Sequence, residues 1–104
     1  MSFHDERVIS QLQKLAAEYL AREAGGPPFG GLTTVTGLAL ADNGRRATIF
    51  LSVFPDDKRA GALNFAKRRR AEIRKYIQEH LRIKQVPFLD FALEKENGGG
   101  AGGN

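Results

Sequence analysis

Lys67-Arg68-Arg69-Arg70, followed within a turn by Arg74 and Lys75, is the densest cluster of charge in the sequence. Lys67, Arg70 and Arg74 are spaced i, i+3 and i+7, which on a continuous helix makes one ridge, with Arg68 and Lys75 beside it. Guanidinium groups grip phosphate oxygens two at a time, and a row of cations matches the charge spacing of a nucleic-acid backbone. Arg45 and Arg46 at a turn, and Arg82 and Lys84 before the last apolar segment, extend this field if they fall on the same side. The competing reading is a solvated helix face neutralised by Asp57, Glu72 and Glu79. The charge balance disfavours it. Residues 45–86 carry twelve basic and four acidic side chains, a net +8, whereas residues 1–44 and 87–104 each carry −2. The local acids cannot neutralise that surplus, which predicts a positive patch facing nucleic acid. Charge alone does not separate RNA from DNA. Phe65 and Tyr76 are the aromatics nearest the run, and both read as core, so phosphate and shape contacts are expected rather than base stacking.

Other chemistries find little footing. The two histidines, His4 and His80, are far apart in sequence, and His80 shares a helical face with Tyr76 and Ile77, as a histidine at the core edge would. Asp56-Asp57 stand where a helix begins, and capping explains them. Asp90 and Glu94 have no histidine at metal-ligand spacing, and Ser10 and Ser52 lack an activating partner. Gly25-Gly26-Pro27-Pro28-Phe29-Gly30-Gly31 leads into a strand and has neither the lysine nor the hydroxyl residue of a phosphate-binding loop. The absence of cysteine excludes a disulfide framework, a thiolate zinc site and a cysteine nucleophile. We therefore expect a binding protein, not an enzyme, with no cofactor and no metal.

The chain's 104 residues, 41% hydrophobic and 27% charged, suit one compact domain with a thin core. No stretch approaches the roughly 18 apolar residues of a membrane span, and the N-terminus lacks a basic-then-apolar leader. A cytoplasmic, monomeric protein is the expectation.

The elements that must position the cations follow from periodicity. From His4 to about Glu23, Val8, Leu12, Leu15 and Tyr19 form a helical stripe with Ile9, Ala16 and Leu20 beside it, capped by Ser2 or Asp5 and ended by the Gly-Pro linker. Leu32 to Ala41 alternates, with Leu32, Thr34, Thr36, Leu38 and Leu40 on one side and Thr33, Val35, Gly37 and Ala39 on the other. Asp42-Asn43-Gly44 is a turn signal. Arg46 to Phe54 alternates again, Ala47, Ile49, Leu51 and Val53 opposing Thr48, Phe50, Ser52 and Phe54, so the pair reads as an antiparallel hairpin. Asp56-Asp57 offer an N-cap carboxylate to a helical stretch from Lys58 to about Leu81. Its apolar stripe (Ala62, Leu63, Ala66, then Ile73, Tyr76, Ile77, His80, Leu81) falters at residues 67–71, which predicts two helices with a kink there. Val86-Pro87 opens a third strand, with Leu89, Phe91 and Leu93 opposite Phe88, Asp90, Ala92 and Glu94. The order is α-β-β-α-α-β: an α+β two-layer sandwich, a three-stranded sheet with helices on one face. Residues 1–96 form the domain and 97–104 a disordered glycine-rich tail.

Taken in order, several segments resemble one family. Leu32-Thr33-Thr34-Val35-Thr36-Gly37-Leu38 and Arg46-Ala47-Thr48-Ile49-Phe50-Leu51-Ser52-Val53-Phe54 are similar to the first two strands of ribosome-binding factor A. Ile73-Arg74, then Leu81-Arg82-Ile83-Lys84-Gln85-Val86-Pro87-Phe88-Leu89-Asp90-Phe91, resembles that family's helix end and Val-Pro strand at matching spacing. The resemblance covers roughly residues 5–94. It implies a KH-like (type II) fold and binding to the free small (30S) ribosomal subunit near 16S rRNA. It further implies help in maturing the 5′ end of that rRNA, a role in the cold, and no catalysis. The sequence departs in one place from classical KH domains and in two from the family. No Gly-x-x-Gly loop of classical KH domains joins the helices. Arg69-Arg70-Ala71 stands where the family tends to have Ala-x-Gly, and Pro27-Pro28-Phe29 replaces Asp-Pro-Arg. A KH-like module for other nucleic acids, and an adaptor whose basic face meets an acidic protein, are the alternatives.

Overall fold

The computed structural model describes residues 6–24 and 32–94. The helix start at His4 with its Ser2 or Asp5 cap, the Gly25–Gly31 linker, the domain limit at residue 96 and the tail from Asn97 all lie outside the described residues. Within them the chain runs α1 (Glu6–Ala24), β1 (Leu32–Ala41), β2 (Arg46–Phe54), a 3-10 turn (Asp56–Lys58), α2 (Arg59–Arg68), α3 (Arg70–His80) and β3 (Phe88–Leu93). This is the α+β sandwich expected, with helices on one face of a three-stranded sheet.

The sheet order is β1-β2-β3. β1 and β2 form the antiparallel hairpin, and β3 joins the other side of β2 in parallel, with Ile49 opposite Phe91. Parallel neighbours need a long crossover, and α2 and α3 supply it. At the hairpin turn Asp42, Asn43 and Gly44 all take positive φ, a conformation that Asn, Asp and Gly accept at least cost. Gly44 N–H donates to the Ala41 carbonyl at 3.1 Å and Arg45 N–H to that of Asp42 at 3.0 Å.

Every second residue of β2 (Ala47, Ile49, Leu51, Val53) is buried, and Leu89 and Phe91 of β3 join them. Leu12, Ala16 and Leu20 of α1, Ala62, Phe65 and Ala66 of α2, and Ile73 and Ile77 of α3 cover that layer. Strict alternation fails in β1. Register shifts between Val35 and Gly37, leaving Thr36 as the extra residue of a bulge, its hydroxyl donating to the Phe50 carbonyl at 3.3 Å. A one-residue insertion reverses which face each later side chain meets. Thr33 and Val35 before the bulge therefore share the half-buried inner side with Leu38 and Leu40 after it, and Leu32, Thr34 and Thr36 are exposed.

Two further expectations need correcting. Asp56 and Asp57 lie in the 3-10 turn, and neither it nor α2 has a side-chain cap bond. His80 is exposed, not at the core edge. It ends α3 with Nδ1 2.7 Å from the Tyr76 carbonyl oxygen and its ring 4.2 Å from that of Tyr76.

Phe91 is the largest fully buried side chain and faces helices and β2 together. Phe91→Ala should cost about 3–5 kcal/mol, as truncating a buried aromatic does. In a domain whose whole stability is about 5–15 kcal/mol, the urea midpoint should drop steeply.

Candidate nucleic-acid interface

Arg69 governs the geometry of the basic run. Ala62, Ala66, Arg69, Ile73 and Ile77 are spaced as one stripe of an unbroken helix, so a continuous helix would drive the Arg69 guanidinium into the core. The helix breaks there. Arg69 has φ −103° and ψ 14°, a negative-φ conformation open to ordinary residues. Its N–H is shared between the Phe65 and Ala66 carbonyls, both at 3.1 Å, and its own carbonyl accepts the Ile73 N–H at 2.8 Å, so α3 starts at once. No glycine is required.

The freed side chain turns toward α1. The guanidinium lies 4.7 Å from the Phe65 ring centroid, and one NH donates to the Tyr19 hydroxyl and to Glu72 Oε1, both at 3.2 Å. Tyr19 donates in turn to the same Glu72 oxygen at 2.8 Å. Burial and the Glu72 carboxylate push the Tyr19 hydroxyl above its ordinary pKa, Arg69 opposing, so it remains a donor at neutral pH. Tyr76 completes this contact between α1 and α3. Its ring meets Tyr19 edge-on at 5.8 Å, and its hydroxyl lies 3.3 Å from both Arg22 and Glu18.

Lys67, Arg70 and Arg74 turn the other way and run along the edge strand β3. Lys67 Nζ at 3.0 Å and Arg70 NH1 at 3.2 Å both donate to Asp90 Oδ1, which also accepts the Phe91 N–H at 2.8 Å. Partial burial pushes the Asp90 carboxyl up, but Lys67, the Phe91 N–H and Arg70 more than offset it and hold it below the usual carboxylate value. Arg74 is committed to the backbone. Nε reaches the Val86 and Pro87 carbonyls, each at 3.1 Å, NH2 donates to that of Val86 at 2.7 Å, and the guanidinium covers the Phe88 ring at 4.5 Å.

The structure thus divides the ten predicted cations. Arg69 turns away from the ridge to Tyr19 and Glu72. Lys67, Arg70 and Arg74 stay on it, each with an internal partner. Arg45 and Arg46 come beside the same strand from the hairpin turn: Phe88 N–H donates to the Arg45 carbonyl at 2.8 Å, and Arg46 is the register partner of Phe88. Arg68, Lys75, Arg82 and Lys84, like Arg45 and Arg46, are exposed with no side-chain partner among the described residues. The acids expected to neutralise the run include one that does so, Glu72; the sequence reading missed Asp90 and the Tyr19 hydroxyl. Their partners lie 20 to 53 residues away in sequence, where local spacing carries no signal. The run also has an aromatic neighbour after all. Phe88, 63% exposed, is brought to Arg74 by the fold, and its outward direction was readable in the alternation of β3.

Comparison with known proteins gives the family and the fold. The family model for ribosome-binding factor A matches residues 4–100. The chain belongs to the ribosome-binding factor A family. The ribosome-binding factor A of Lacticaseibacillus casei is 31% identical over 91 residues, covering 86% of this chain and 77% of that protein. That of Bdellovibrio bacteriovorus is 32% identical over 89 residues, covering 85% of this chain and 66% of that protein. The crystal structure of ribosome-binding factor A from Thermus thermophilus superimposes with a TM-score of 0.71 at 22% identity, covering 85% of this chain and 92% of that one. A homology model of the Thermus protein, fitted into a cryo-electron microscopy map of a 30S–RbfA complex, gives 0.66 at 23%, covering 83% and 90%. These likenesses establish the KH-like fold. Against the Ala-x-Gly expected at the family's kink, this member breaks its helix at an arginine.

Two measurements test the site's internal bonds. Arg74→Ala removes a bidentate grip on two carbonyls and should destabilise the domain by about 1–3 kcal/mol in urea titration; Arg74→Lys, lacking the planar fork, should recover only part. Because the folded Asp90 carboxyl sits below its unfolded value of about 3.9, its ion pairs contribute fully above that pH and are lost as pH falls through the folded value. The stability difference between the wild type and Asp90→Asn should therefore shrink on acidification below about pH 4, measured as thermal midpoints.

Proposed function

We propose that this chain is a ribosome assembly factor that binds the free small (30S) ribosomal subunit, setting the cations flanking β3 against phosphates of 16S rRNA. On this reading it assists late maturation of the subunit, including processing of the 16S rRNA 5′ end, in the cytoplasm and with particular importance in the cold. It acts as a monomer and by binding, without catalysis. One observation carries the proposal beyond membership of the family. Six exposed cations, Arg45, Arg46, Arg68, Lys75, Arg82 and Lys84, have no side-chain partner among the described residues. Cations left uncompensated on one domain favour a polyanion. The Thermus relative fitted into a 30S–RbfA map points to the subunit as that polyanion. No helix of the described residues is long and apolar enough to cross a membrane.

Lys67, Arg70 and Arg74 complete the RNA-facing set in different capacities, and Arg69 supports it from the other side of the helix junction. Arg69 shapes the junction, Arg74 fixes the Val86-Pro87 entry to β3 with one terminal nitrogen to spare, and Lys67 and Arg70 stand over the strand.

Arg68→Glu combined with Lys75→Glu should leave the thermal midpoint within a few degrees of wild type, since neither side chain has a partner among the described residues. Co-sedimentation with purified small subunits should fall at least tenfold. Wild-type binding should also weaken steeply with salt, because each neutralised phosphate releases counterions. Co-sedimentation unchanged by the double charge reversal, with a flat salt response, would discard the proposal.

A further inference from the structure

Asp90 stands in an unusual place for an acid. Lys67 and Arg70 of the basic ridge both close on the same one of its oxygens, Oδ1. Nothing in the packing requires this. Asp90 points away from the buried side of β3, where Leu89 and Phe91 face the core. Its side chain is 53% exposed, and those of Lys67 and Arg70 are 38% and 47% exposed. The ion pairs are therefore open to solvent, where such contacts are readily exchanged.

The chemistry of the cluster matches that of a phosphodiester site. A carboxylate and a phosphodiester each carry one negative charge and two terminal oxygens, and both accept charge-assisted bonds from the same donors. Lys67 Nζ and Arg70 NH1, converging from successive helices on a single oxygen, form a two-pronged cation site aimed at one oxyanion. Should another anion take the prongs, Asp90 would keep the Phe91 N–H at 2.8 Å and its access to water, so displacement strands no buried charge.

We propose that Lys67 and Arg70 are a clamp for one RNA backbone phosphate, and that Asp90 is a tethered competitor occupying it in the free protein. This rests on the RNA-binding reading above and adds to it a specific phosphate subsite and a residue that restrains it. With Asp90 in place the cluster has a net charge of +1; without it, +2. The competitor lowers affinity for phosphate chains in general and reserves the clamp for RNA held in place by the other cations.

The test is RNA binding by Asp90→Asn and, as a second substitution suited to a strand, Asp90→Thr. The probe is a fluorescently labelled 16S rRNA fragment, titrated across a salt series, with thermal midpoints recorded in parallel. Both variants should bind at least threefold more tightly, and the slope of log affinity against log salt should steepen by up to about one, the increment for one more phosphate neutralised. The midpoint should fall slightly, so affinity and stability move in opposite directions, as loss of a merely structural ion pair would not produce. Adding Lys67→Ala and Arg70→Ala should abolish the gain. Binding that is unchanged or weaker in both Asp90 variants, while Arg68→Glu with Lys75→Glu still abolishes it, overturns the clamp and leaves the RNA reading standing. If that double charge reversal also binds the fragment like wild type, the RNA reading falls, and the clamp with it.

Discussion

A guanidinium cannot be buried without partners, and Arg69 stands on the stripe that an unbroken helix would bury. The rest of the molecule is arranged around that conflict. Breaking the helix at one residue keeps Ala62, Phe65 and Ala66 on one segment and Ile73 and Ile77 on the next in the same core while releasing Arg69 from it. The arginine itself is led outward to Tyr19 and Glu72. In this way a residue that would be a defect in a straight helix becomes the fastener between α1 and the helix junction. The same rotation sends Lys67 and Arg70 to the opposite side, over β3. One backbone break thus sorts neighbouring cations between the contact with α1 and the edge strand β3.

Much of this could be read from the chain. The hairpin, its Asp-Asn-Gly turn, the inward residues of β2 and β3, and the interruption of the long helix all follow from local periodicity and turn chemistry. The bulge at Thr36 did not, because the strand pattern looks equally regular on either side of an inserted residue, and only the partner strand reveals the shift. The Asp56-Asp57 cap failed for a related reason: both residues lie in a 3-10 turn, and α2 begins at Arg59 with Lys58 as its N-cap.

For the interface, residue types were legible and roles were not. Arg45, Arg46, Arg68, Lys75, Arg82 and Lys84 are exposed as a basic run suggests. Arg69 and Arg74 look the same in sequence but are held by a tyrosine hydroxyl 50 residues away and by the carbonyls of Val86 and Pro87. Charge counting treats every cation alike. What distinguishes them is which donors remain after internal bonds are made, and tertiary packing sets that. Asp90, unremarkable in a strand of mixed character, gains its significance the same way.

The parallel pairing of β2 with β3 has a bearing on how the protein comes into being. The hairpin can form as soon as it leaves the ribosome, since its contacts are local. Ile49 and Leu51, however, gain their parallel partners only when Phe91 and Leu93 have emerged, after both helices have been made. Closing so long a loop precedes any reward from the contacts it creates. During synthesis, then, the nascent chain carries an unprotected apolar strand edge until β3 has been made. The cationic surface built along β3 comes into existence only at that last step, so an unfinished chain lacks the assembled face with which the whole protein would engage RNA.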